Sequence, residues 1–148
     1  MKIGKMFQAI AAAIVLGSTA SEVAASEIRL SIQQALSWET TVEGVAFAPL
    51  KGNRFKESYM AMVRLPAGLV SPVHMKSAGM YGLVVSGQMV HLSGSAPDGA
   101  ETVLGAGDYY EIPAGVAHVS KCVSAVECVT FLYQDGPFDF LPIVEDRK

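Results

Sequence analysis

From residue 42 onward the chain is cut into short segments by turn signals at intervals of roughly 6 to 12 residues, and no segment carries a convincing amphipathic helical period. Such punctuation leaves room for short strands and little else. The predicted fold class is therefore all-β, arranged as a jelly roll or barrel. Residues 42–50 read as one strand, 51–55 with Gly52 and Asn53 as a turn, and 57–65 as a second strand closed by Pro66 and Gly68. In that second strand Tyr59, Ala61, Val63 and Leu65 share one face. Further strands are expected at 101–104, 109–112, 116–121, 129–133 and 138–144, with Pro113 to Gly115 as a turn. Residues 31–38 are open between a helical turn and an irregular strap, with Trp38 as a core anchor. With 148 residues, 51% of them hydrophobic and 17% charged, the chain suits one domain.

The centre of this pattern is residues 70–92, VSPVHMKSAGMYGLVVSGQMVHL, which read as a buried hairpin lining a pocket. His74 and Lys76 stand two apart on an extended stretch, so they point the same way. Tyr81 opens the expected return strand. His91 lies further along it, two residues past Met89; completing a site is one reading, and an exposed or hydrogen-bonded strand residue is the stronger one. Met75, Met80 and Met89 read as core filler with the option of facing an apolar ligand. One or two of Tyr109, Tyr110 and Glu111 should face the interior by alternation.

The first 25 residues are expected to be a signal peptide. Lys2 and Lys5 precede the apolar run MFQAIAAAIVLG, and SEVAAS offers small residues for cleavage after Ala25 or Ser26. About 12 apolar residues fall short of the roughly 20 that a membrane-spanning helix needs, so no stable anchor is expected after cleavage and 26–148 form the single mature domain. The expected location is periplasmic or secreted. Removing Lys2, Lys5 and Glu22 takes the formal charge from −3 to −4. The densest cations, Lys51, Arg54 and Lys56, fit a solvated loop, so nucleic acid is excluded as a partner. In an oxidising compartment, Cys122 and Cys128 are expected to form a disulfide across a hairpin, and so short a loop contributes roughly 2 kcal/mol in the chain-entropy model.

Two segments resemble the motifs of the cupin superfamily. In the first, Gly68 is followed by five residues and then His74; in the second, GDYYEIPAGVAH, Gly107, Pro113, Gly115 and His118 keep the family spacing. The resemblance implies a double-stranded β-helix barrel over roughly residues 60 to 135. LPAGLVSPVHMKSAGMYGLVVSG, IPAGVAHVSKC and ECVTFLYQDGPFDF further resemble a bacterial single-domain exported cupin group without an assigned activity. Superfamily members often dimerise through outer strands, which leaves a homodimer open.

Metal-binding cupins typically hold an ion with three histidines and one glutamate, and at those positions this chain reads His74, Lys76, Tyr81 and His118. An ammonium has no lone pair to donate, and tyrosine ligates only as phenolate. A divalent transition metal on His74 and His118 is thus the lesser expectation, and a pocket without a metal cofactor the greater. His74, Lys76, Tyr81 and His118 are expected to converge as catalytic or ligand-binding groups. Two functions compete. One is an exported protein that binds or senses a small anionic or hydroxylated ligand; the other is an enzyme doing acid–base or metal-dependent chemistry on a small metabolite.

Overall fold

The computed structural model describes residues 27–94 and 100–143. The expected signal peptide lies outside them. The chain divides into two units, Met1–Leu30 and Ser31–Lys148. Of the first, the described residues 27–30 are exposed and carry no regular structure.

The second unit is a jelly roll of two antiparallel sheets. After a single 3-10 turn at Gln33–Ala35 come β1 (Glu39–Thr40), β2 (Ala46–Lys51), β3 (Tyr59–Leu65), β4 (His74–Met75) and β5 (Met80–Ser86). Then follow β6 (Met89–Ser93), β7 (Tyr109–Ile112), β8 (His118–Cys122), β9 (Cys128–Gln134) and β10 (Leu141–Pro142). One sheet has the order β1-β2-β3-β9-β5-β7, the other β10-β4-β8-β6.

The alternation in β3 does what its sequence requires: Tyr59, Ala61, Val63 and Leu65 are buried, while the residues between them are half-exposed. The register extends this inner face across the larger sheet. Tyr59 faces Gln134, which faces Met80, which faces Ile112; one step along, Ala61, Leu132, Gly82 and Tyr110 form the next row. Gly82 is required by its neighbour, because a Cβ there would lie 2.0 Å from the Tyr110 ring. Without a side chain at Gly82, the phenol of Tyr110 lies across β5 and reaches Thr130 Oγ1 at 3.2 Å.

Several expectations are corrected. Residues 70–92 are not one hairpin: β4 and β6 belong to the smaller sheet and β5 to the larger, so the chain crosses between sheets twice. The stretch 76–79 is a crossover, with the backbone of Lys76 accepting from Gly115 N at 2.9 Å. Residues 101–104 form no strand; Leu104 makes one isolated bridge to Met89. Among the described residues of the expected strand 138–144, only Leu141–Pro142 is a strand. Trp38 is half-buried and lies outside the core, with the Arg64 guanidinium 3.8 Å from its ring centroid.

Cys122 and Cys128 are bonded to each other, with Cα atoms 5.8 Å apart. The partners differ from the expected hairpin. Cys122 ends β8 in the smaller sheet and Cys128 begins β9 in the larger one, so the disulfide joins the two sheets. At the β5–β6 turn, Gly87 has φ +81° and packs on Cys128, where any Cβ would come within 2.9 Å of its Sγ and Cα. The turn and the disulfide therefore share one tightly packed corner.

Candidate functional site

Both sheets contribute inner-face residues to one cavity of about 460 Å³. Most of its wall is apolar, with Phe47, Val63, Leu65, Met80, Met89 and Phe138 among the lining side chains. A cavity of this size and character suits a small organic ligand whose orientation is fixed by a few polar groups.

The polar groups come chiefly from the smaller sheet. His74 and His118 are direct cross-strand partners on β4 and β8, and their ring centroids are 4.2 Å apart. His74 also stacks on Phe140 at 4.2 Å. Each of the two imidazoles is oriented by the chain just before it. Nδ1–H of His74 donates to the Pro72 carbonyl and Nδ1–H of His118 to the Val116 carbonyl, both at 2.9 Å. A carbonyl can only accept, so in both rings the neutral form keeps its proton on Nδ1 and its lone pair on Nε2.

His91 joins them from β6. Its Nδ1 is 3.0 Å from Ser120 Oγ, and its ring packs on Tyr110 at 4.2 Å. Among the described residues, Nε2 of His91 and Nε2 of His118 are buried without a hydrogen-bond partner. Burial holds all three histidines below the ordinary imidazole range. His74 falls to about 4, with the Pro72 bond opposing and His118 and Lys76 reinforcing the shift. His91 also falls to about 4, pushed further by His118 and His74. His118 is lowered by burial, and Lys76 adds to the effect.

Lys76 is only 7% exposed and lines the same cavity. Its Nζ donates to the backbone carbonyl of Asp139 and lies 4.1 Å from the Phe138 ring centroid and 5.6 Å from that of Phe140. Burial brings its pKa down to about 8, with the charge of Asp139 pulling the other way. The carboxylate of Asp139 itself accepts from the Ser77 N–H, at 3.1 and 3.2 Å. Residues 137–142 thus close one side of the cavity: Pro137 O accepts from Gln134 Nε2 at 2.6 Å, and β10 pairs with β4. The PFDFLP run therefore supplies cavity wall through Phe138 and Phe140.

Of the four residues expected to converge, His74, Lys76 and His118 come together and Tyr81 does not. Tyr81 is on the outer face of β5, paired with Tyr133 and stacked on it with centroids 5.9 Å apart. Its neighbour Met80 points inward in its place. The phenol in the cavity belongs to Tyr110, whose burial raises its pKa to about 12 and so keeps it a neutral hydroxyl. His91, for which a bland strand residue was the stronger expectation and completion of a site the lesser, is a further group in the cavity. Its only signal was the odd-numbered alternation from Met89, which needs β6 to lie beside β8 before it points to the cavity.

The metal set typical of cupins does not fit here. Its second position is an ammonium, its carboxylate position is a thioether or an outward-facing phenol, and no group of three or more His, Cys, Asp or Glu among the described residues is arranged to hold an ion. The remaining donors, His74 and His118, stand beside a cation that opposes a second one.

A family model described as the ChrR cupin-like domain matches residues 27–139. No curated protein matches the chain in sequence. Among solved structures, an RmlC-like cupin from Shewanella frigidimarina is similar at 21% identity and a TM-score of 0.56, over 74% of this chain and 92% of that one. The polyketide cyclase RemF from Streptomyces resistomycificus is similar at 13% identity and a TM-score of 0.63, over 82% and 89%. The DMSP lyase DddQ from Ruegeria pomeroyi is similar at 18% identity and a TM-score of 0.59, over 78% and 64%. At these identities the likeness is one of fold.

Proposed function

We propose that this chain, which belongs to the ChrR cupin-like family, uses its barrel to bind a small amphiphilic anion: an apolar body carrying one carboxylate. One observation carries the reading. The Lys76 amine is buried in an apolar cavity, and the hydrogen-bond acceptor it has there is a neutral carbonyl. Burying an ammonium without a counter-charge is costly, and a ligand carboxylate would supply that charge together with a strong hydrogen bond. The neutral imidazoles of His74 and His118 and the hydroxyl of Tyr110 add hydrogen-bonding capacity without adding charge. The apolar walls accept the rest of the ligand.

We further propose that the protein is exported to an oxidising compartment. The Cys122–Cys128 bond supports that location, since such bonds persist outside the reducing cytosol.

Thermal melting with three probes that share a ten-carbon chain tests the ligand class. Decanoate is expected to raise the melting temperature, decanol to raise it less, and decyltrimethylammonium to leave it unchanged. An equal rise from the ammonium probe would contradict an anion site built on Lys76.

A further inference from the structure

The amine that attracts an anion is also placed to react. Lys76 makes no ion pair among the described residues, whereas Lys121 is paired with Glu101. Its immediate surroundings are a backbone carbonyl and the rings of Phe138 and Phe140, and the one carboxylate nearby, that of Asp139, is turned to the Ser77 N–H. A lysine without a carboxylate partner, shielded by apolar walls, keeps a larger share of free amine than a paired or solvated one, and the free amine is the nucleophile. Two residues earlier in the chain and lining the same cavity, His74 holds its proton on Nδ1 against the Pro72 carbonyl and keeps the Nε2 lone pair. That lone pair can pass a proton from nitrogen to oxygen without having to hold it.

We propose that Lys76 captures ligands bearing an aldehyde or an unhindered ketone as an imine. This rests on the reading of the cavity as a site for small amphiphiles and adds a neutral carbonyl head group to the carboxylate proposed above. The free Nζ adds to the carbonyl carbon, forming the C–N bond, and the carbonyl π pair goes to oxygen. His74 Nε2 carries the proton released from nitrogen to that oxygen, giving the neutral carbinolamine. The C–O bond then breaks, oxygen leaves as water with a second proton from nitrogen, and the C=N bond forms. Amine and carbonyl are converted to imine and water with no change in oxidation state. The step needs no oxidant, reductant or metal.

The test incubates the purified full chain with decanal and sodium cyanoborohydride, which supplies the hydride that turns an imine into a stable secondary amine, and maps the adducts by peptide mass spectrometry. Labelling of Lys76 is expected to exceed that of Lys51, Lys56 and Lys121 by about tenfold in rate, as a desolvated amine should over solvated or paired ones. Decanoate, as a competitor, is expected to suppress the Lys76 adduct while leaving the surface adducts unchanged. This comparison is made within wild-type protein and needs no variant to fold. Lys76→Arg, which keeps the cation and loses the primary amine, is expected to retain stabilisation by decanoate and to show no adduct at position 76. Labelling spread evenly over the surface lysines with Lys76 unmodified would overturn the imine proposal, and if decanoate still stabilised the protein, the anion-binding reading would stand. A Lys76 adduct that decanoate does not compete would support the imine chemistry and contradict the anion site.

Discussion

Lys76 is bonded to the backbone carbonyl of Asp139 while the carboxylate of the same Asp139 is held by the backbone of Ser77. The strap that closes the cavity thus brings an aspartate beside the lysine without pairing the two charges. A cation left in that state costs stability and is available to a ligand. Lys76→Met, which fills the volume and removes the charge, is expected to leave stability within about 1 kcal/mol of wild type, because replacing a buried charge by an apolar group of similar size is often neutral or favourable. Urea unfolding measures this. A loss several times larger would mean that the Asp139 contact is a net stabilising feature.

The histidines set the acid limb of the stability profile. His74 and His91 titrate near 4 in the folded chain against an ordinary 6.5, and His118 is lowered in the same sense. Between those values the unfolded chain binds more protons, so stability is fully present above about 6.5 and falls as the pH drops toward 4. Lys76 acts on the alkaline side: between about 8 and its ordinary 10.5 the unfolded chain keeps a proton that the native amine has released, so this group favours folding increasingly across that window. Denaturant midpoints measured from pH 4 to 10 should show the acid loss, and His91→Gln should flatten part of it. A profile flat from 7 to 4 would contradict the buried, neutral imidazoles.

Gly82 leaves the space in which the Tyr110 ring packs. Gly82→Ala places a methyl group 2.0 Å from the Tyr110 ring, so the phenol must leave Thr130 and shift within the pocket. Overpacking of this kind is expected to cost about 2 kcal/mol. It should also shrink the cavity, lowering decanoate affinity together with stability. Chemical denaturation and a ligand titration on the same variant check both effects.

The strand interiors were legible because alternation is strong where one face is apolar and the other is not, as in Tyr59 to Leu65. Sheet membership was not. Four residues between β4 and β5 are compatible with a hairpin loop, and only the pairing of His74 with His118 and of Met80 with Gln134 reveals that those strands lie in different sheets. The parity of β5 was ambiguous for a related reason: Leu83 and Val85 are bulky and face outward, while the inward Gly82 has no side chain because Tyr110 occupies its space. The cupin resemblance put Tyr81 at a ligand position, and side-chain bulk along β5 gives no sign that it faces outward. His91 needed the β6–β8 register before its position in the cavity had meaning.

The disulfide follows the same lesson, since its pairing was readable and its place between sheets was not. Replacing both cysteines with alanine is expected to cost about 2 kcal/mol, the chain-entropy value for so short a loop. Denaturation of the double variant beside wild type measures it. Unfolded, non-reduced wild type should take up no alkylating reagent, and two reactive thiols in the exported protein would contradict the bond.

The central claim is that the Lys76 charge, set in an apolar cavity, selects an anionic amphiphile. Calorimetric titration of decanoate at pH 7 into wild type, Lys76→Arg and Lys76→Met tests it most directly. The account predicts saturable binding to wild type, retained binding to Lys76→Arg, and at least about tenfold weaker binding to Lys76→Met, the loss of one charge-assisted hydrogen bond in a desolvated site. Equal affinity of wild type and a folded Lys76→Met for decanoate would contradict it.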